Sequence, residues 1–162
     1  MKISNFLRTP HRTLFRIGCG LAVFGASLLI AQVADVIDLS KVTFKDPLNS
    51  PYFKGTVLPV NENSTGGFAH YKFTPGARTQ WHIHEGGQIL LCEVGICRHQ
   101  LKGGPIIEFR AGETAYAPPG IAHWQGSTST TAGTQFNIQR GKITWLTDVT
   151  DEEYNGPVAP HK

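Results

Sequence analysis

An all-β domain, a sandwich or barrel of short strands, is the fold class this sequence predicts. Three observations carry that expectation. The chain holds 18 glycines and 10 prolines in 162 residues, and Gly76, Gly86, Gly87, Gly95, Gly112 and Gly120 punctuate short apolar runs as tight turns do. Several of those runs alternate in polarity with a period of two, the pattern of half-buried strands. No internal repeat and no long amphipathic helical pattern competes with this reading.

Residues 42–44 and 55–58 read as short strands in a stretch broken by Pro47, Pro51 and Pro59, each lacking the N–H that a sheet interior needs. Further strands are expected over 68–74, 80–84, 88–94, 96–101, 106–110, 114–117, 123–126, 134–140 and 144–146. A hairpin between 88–94 and 96–101 would set Cys92 opposite Cys97 across the loop Glu93-Val94-Gly95-Ile96. Along the first of these strands Gln88, Leu90 and Cys92 share one face, with Ile89 and Leu91 on the other. Along the late strand Gln135, Asn137 and Gln139 share a face, with Phe136 and Ile138 opposite. If the polar set lines the interior, an apolar row is left outside and needs cover. The expected cover is a second copy, a homodimer packed sheet against sheet; the alternative is the N-terminal strands of the same subunit. At the end, Thr150-Asp151-Glu152-Glu153 is a capping box for one short helix, which Gly156 and Pro157 terminate.

Chemistry concentrates in His82, His84, Gln88 and His123, which we read as a candidate metal site. His82 and His84, at i and i+2 on a strand, put both imidazoles on one face. Gln88 follows the turn Glu85-Gly86-Gly87, and His123 follows Pro118-Pro119-Gly120. Imidazole suits Zn, Fe, Ni, Mn and Cu, and an amide oxygen suits the harder of these. His11 and His161 lie in terminal segments, and His70 and His99 are strand residues expected to be structural or solvated.

These stretches resemble the two cupin motifs. Gly76, five residues, His82-Ile83-His84, three residues, Gln88, six residues and Gly95 match the first, with Gln88 where Glu is usual. Gly112, five residues, Pro118, Gly120, two residues, His123, three residues and Ser127 match the second, with Ser127 where Asn is common. The resemblance covers roughly residues 42–154. It implies a double-stranded β-helix (a jelly-roll barrel) and a divalent metal on His82, His84, Gln88 and His123. A closer likeness to small single-domain bacterial cupins, some of them manganese-dependent hydroxynitrile lyases, makes Mn the expected ion, with Fe, Ni or Zn as alternatives. The resemblance and the strand phase place Ala69, Tyr71 and Phe73 facing inward, with Gln139 on another strand and Trp124 and Gln125 after the last ligand. Tyr71, Gln139 and Gln125 are the candidate catalytic or substrate-contacting residues. Tyr71 and Gln125 also depart from the lyases, which tend to carry small or aliphatic residues and His at these positions.

Three neutral imidazoles and a neutral amide would leave a divalent ion its full charge, a stronger Lewis acid and anion binder than a site with Glu, and a looser one. Gln88 cannot act as a general base. The expected function is a metal-dependent enzyme acting on a small organic substrate, by lyase or isomerase chemistry or as a dioxygenase. The alternative is a non-catalytic cupin that binds a small ligand. Arg78 and Trp81 are expected to be structural, Arg78 by pairing with a carboxylate and Trp81 by outward packing, and Glu85 to be solvated near the mouth.

The formal charge of +3 does not describe the domain. Lys2, Arg8, Arg12 and Arg16 precede every acidic residue, and removing residues 1–34 leaves 11 basic and 12 acidic side chains. A near-neutral domain carries no nucleic-acid footprint. Those basic residues precede an apolar run from Ile17 to Ile30, the pattern of a secretory signal, or of an N-terminal anchor if uncleaved. We expect residues 1–34 to be that segment and 35–162 the cupin domain, exported to a periplasmic or secreted location and touching membrane only through the anchor. Cys19 belongs to the leader. Cys92 and Cys97 are expected as two buried thiols, although an oxidising compartment would permit a disulfide. Asn63-Ser64-Thr65 is a sequon, meaningful only in a eukaryotic secretory setting.

Overall fold

The computed structural model describes residues 42–60 and 68–160, so the N-terminal segment and the sequon lie outside the described residues. Eleven strands and one short helix follow in chain order: β1 (Phe53–Lys54), β2 (Val57–Pro59), β3 (Phe68–Phe73), β4 (Arg78–Thr79), β5 (His82–His84), β6 (Gln88–Leu101), β7 (Ile106–Arg110), β8 (Thr114–Ala117), β9 (His123–Ser127), β10 (Gly133–Gln139), β11 (Ile143–Trp145) and α1 (Asp151–Tyr154). The all-β expectation holds, with a jelly-roll arrangement of two antiparallel layers that share β6. One layer runs β2-β3-β10-β6-β8. In the other, β6 pairs with β7 and β9, and β9 in turn pairs with β4 and β5. β1 extends β4, and β11 extends β5.

β6 corrects two expectations. It is one strand rather than a hairpin. Residues 88–94 pair with β10 and β8, and residues 96–101 cross to the opposite layer. The bend falls at Gly95, whose φ is 78° and where a Cβ would come within 2.0 Å of the Ala132 carbonyl oxygen. Only glycine fits there. An extended strand would hold Cys92 and Cys97 roughly 16 Å apart, yet their Cα atoms are 5.9 Å apart and a disulfide joins them. The thiol reading is therefore overturned: the bond staples the bend where β6 changes layer. Residues 42–44 form no strand either. They contribute only an isolated bridge from Phe44 to Val60, and Pro47, which has no N–H to give a ladder, follows three residues on.

Side-chain alternation sorts the interior from the outside as the sequence implies. Leu90, Cys92, Cys97, Phe109 and Ala115 form one buried cluster, and Val57, Phe73 and Ala77 another. Behind the second layer, Trp81, Ile106, Trp124, Val149 and Tyr154 pack together. Burial of an aliphatic side chain such as Ile106 contributes roughly 1.5–3 kcal/mol. α1 holds this third cluster in place. Thr150 and Glu153 make the expected capping box, and Glu153 also accepts from Trp81 Nε1 at 3.0 Å and pairs with Lys102 at 2.7 Å. Arg78 pairs with Asp151 at 2.6 Å and lies over the Tyr154 ring, while the Tyr154 hydroxyl donates to the Ser127 carbonyl at 2.8 Å. Arg78 and Trp81 thus have the structural roles expected of them.

Candidate metal centre

The two layers bring the four candidate ligands together at one end of the interior. β5 supplies His82 and His84, and its antiparallel neighbour β9 sets His123 directly opposite His82. Their ring centroids are 4.4 Å apart. The other layer supplies Gln88, the first residue of β6, opposite Gln139 of β10. Gly87, at φ 78°, turns the chain into that strand so close to Ala117 and Pro119 that a Cβ would collide with them. One ring nitrogen each from His82, His84 and His123 lies within 4.8 Å of the others, and the three residues are buried.

The hydrogen bonds fix what each side chain presents. His82 Nδ1 lies 2.9 Å from the Gln80 carbonyl oxygen, and His123 Nδ1 lies 2.8 Å from that of Ile121. Carbonyl oxygens only accept, so each Nδ1 carries the proton and each Nε2 presents a lone pair. Gln88 Nε2 donates to Gln139 Oε1 at 3.3 Å, which turns Gln88 Oε1 toward His123 Nε2 at 3.0 Å. Two acceptors therefore face each other at hydrogen-bond distance with no proton between them. His82 Nε2 and both nitrogens of His84 have no partner among the described residues. Convergent lone pairs without a donor repel one another and are buried at a cost; a cation among them removes both problems. The donor set of imidazole nitrogens and one amide oxygen fits a first-row divalent ion.

Burial first, and then the proximity of His123, holds His82 down at about 3 and His84 at about 4. Burial also lowers His123. All three are neutral at physiological pH, the state a metal requires. His99 takes the structural side of the expectation for it. It is fully buried rather than solvated, with its ring 5.6 Å from that of His123 and neither nitrogen partnered among the described residues. The sequence offered no signal for it beyond its strand phase. His70 sits on the outer side of its layer against Glu93.

A cavity of about 60 Å³ opens on His82 and His84. Tyr71, Gln125 and Gln139, the candidate catalytic residues, all line it, as do Ala69 and the metal-side residues His82, His84 and Gln88. Burial raises the Tyr71 phenol, which stays protonated as a hydrogen-bond donor. Phe73 points inward into the core below, and Trp124 turns away from the lumen to donate to Gln100 Oε1 at 2.6 Å. Glu85 is exposed and accepts from the Lys142 backbone N–H. The structure adds Phe53, Thr79, Asn137, Ile143 and Trp145 to the lining. The strand phase shared with Gln139 could have marked Asn137. Nothing local marked Phe53 or Trp145, which meet only through tertiary pairing. No carboxylate, lysine or arginine lines the cavity among the described residues.

Residues 69–136 match the Cupin_2 cupin domain model. The chain is 42% identical over 90 residues to an (R)-mandelonitrile lyase of Granulicella tundricola, a match that spans 53% of this chain and 69% of that protein. The chain is a cupin. A cupin-like protein from Thermotoga maritima superposes with a TM-score of 0.60 at 33% identity, covering 69% of this cupin and 92% of that chain. The polyketide cyclase RemF from Streptomyces resistomycificus, at 16% identity and a TM-score of 0.53 over 75% of this cupin and 91% of that chain, shares the fold.

Proposed function

We propose that this cupin is a metal-dependent lyase that cleaves or forms the carbon–carbon bond of a small α-hydroxynitrile, with Mn the preferred ion on His82, His84, Gln88 and His123. The observation that carries the reading is the convergence of one ring nitrogen each from His82, His84 and His123 within 4.8 Å of one another, with Gln88 Oε1 3.0 Å from His123 Nε2. The 42% identity to an (R)-mandelonitrile lyase supports the choice of substrate class. When bound, the ion would supply Lewis-acid polarisation of a substrate oxygen at an undiminished double charge. The chain's own residues supply orientation. Gln139 holds the Gln88 amide in its ligand-facing sense. The Tyr71 phenol donates a hydrogen bond toward the leaving group, and Phe53, Ile143 and Trp145 form an apolar wall that limits water.

The test is turnover of racemic mandelonitrile by the manganese-loaded protein, with and without O₂. Enantioselective release of benzaldehyde in both atmospheres supports the lyase. A requirement for O₂ would move the chemistry to a dioxygenase, and ligand binding without turnover to a binding module. We also propose export of the chain. The Cys92–Cys97 disulfide supports an oxidising compartment.

A further inference from the structure

We infer that Asn137 and Gln125 form a recognition subsite for a substrate hydroxyl, a group that donates and accepts at once. This inference rests on the metal-centred reading above and adds to it the protein groups that would hydrogen-bond the same hydroxyl whose oxygen the ion would polarise.

Asn137 is fully buried on β10, and neither Oδ1 nor Nδ2 has a hydrogen-bond partner among the described residues. Gln125 on β9 is 4% exposed, and its Oε1 is likewise unpartnered. The two come from opposite layers and line the same cavity as His82, His84 and Gln88. Buried amides almost always find partners, and leaving one without any is costly. A packing role would be served as well by leucine or methionine. These polar groups are therefore held ready for something that enters the cavity.

Their chemistry selects what enters. Asn137 offers one donor group and one acceptor, and Gln125 adds a second acceptor. A ligand group that only accepts, such as a nitrile or ether, would satisfy Asn137 Nδ2 and leave two carbonyl oxygens facing it. A cationic amine would meet a site already charged by the metal. A hydroxyl answers both needs, accepting from Asn137 Nδ2 and donating to Gln125 Oε1 or Asn137 Oδ1. The cavity is small, about 60 Å³, and its apolar wall of Phe53, Ile143 and Trp145 is available to the rest of a ligand whose hydroxyl lies on Asn137 and Gln125.

The test compares glycolate with acetate, which differ by one hydroxyl, as ligands of the manganese-loaded protein by calorimetry. The variants are Asn137→Leu and Asn137→Ser, each with its metal content measured. In the unaltered protein glycolate binds more tightly. In Asn137→Leu the glycolate-to-acetate affinity ratio falls by about tenfold or more, while metal content and acetate binding persist. Chelation of the metal by the hydroxyl would favour glycolate equally in every variant, so the change in the ratio reports Asn137 alone. Thermal stability of Asn137→Leu is unchanged or raised, since an unpartnered buried amide has been removed. Asn137→Ser keeps a smaller donor–acceptor and retains part of the ratio. A ratio unchanged in both variants overturns this inference alone. A metal-loaded protein that binds neither acid overturns the metal-centred reading and this inference with it.

Discussion

At the scale of the residue, Gln88 decides the character of the centre. Its Oε1 is held toward His123 because Nε2 is tied to Gln139. Two predictions follow from that pairing. Gln88→Glu adds a negative charge beside the ion and should tighten metal binding about tenfold or more, read by competition with a chelator, while slowing any Lewis-acid turnover. Gln139→Leu removes the tether, leaves the amide free to turn its N–H₂ inward, and should weaken metal binding by about 10–100-fold; equal affinity would show that the tether does nothing. The four candidate ligands were legible in the sequence because strand periodicity and turn residues constrain them locally. Asn137 carried the same periodicity but no motif, and Phe53 and Trp145 reach the cavity only through pairings β1–β4 and β5–β11, which no local pattern encodes.

At the scale of the element, β6 joins the two layers and α1 packs behind one of them. β6 was read as two strands because Gly95 marks a turn and a bend alike; the difference lies in which strands stand beside it, information far away in sequence. The disulfide across the bend closes a short loop. Replacing both Cys92 and Cys97 with Ala should therefore cost about 2 kcal/mol in chemical denaturation. α1 depends on carboxylates. Lys102 and Trp81 hold Glu153 down at about 2, and Lys54 and Arg78 hold Asp151 down at about 2. A carboxylate depressed on folding stabilises the fold above its ordinary value and loses that contribution as the pH falls toward the folded value. For Glu153 the window runs from 4.5 down to about 2. Trp81 fluorescence should change within it as α1 undocks, and Glu153→Gln should remove most of that transition. A Trp81 signal flat to pH 2 would contradict this.

At the scale of the whole molecule, the outer face of the β2-β3-β10-β6-β8 layer carries an exposed apolar row. Phe68, Ile138, Ile89 and Tyr116 stand directly opposite one another across β3, β10, β6 and β8, and all four are exposed, from 37% to 55%. Such a row supports the homodimer proposed from the sequence, since apolar patches of this kind mark interaction surfaces. Light scattering should give twice the monomer mass, and Ile138→Lys should give the monomer with its metal retained. A monomer already in the unaltered protein would end this proposal and leave the site as it is. The fold class and its closing helix were readable because alternation, turns and a capping box are local. The cover over the outer face was not, because a sequence states which face is apolar and never what lies against it.

The central claim, a divalent ion on His82, His84, Gln88 and His123, is tested most directly by plasma mass spectrometry of the purified protein beside His84→Ala. The account predicts near-stoichiometric Mn, Fe, Ni or Zn in the first and its loss in the second, with both proteins folded by circular dichroism. A protein that stays empty even after incubation with these ions, or an equal metal content in the variant, would contradict it.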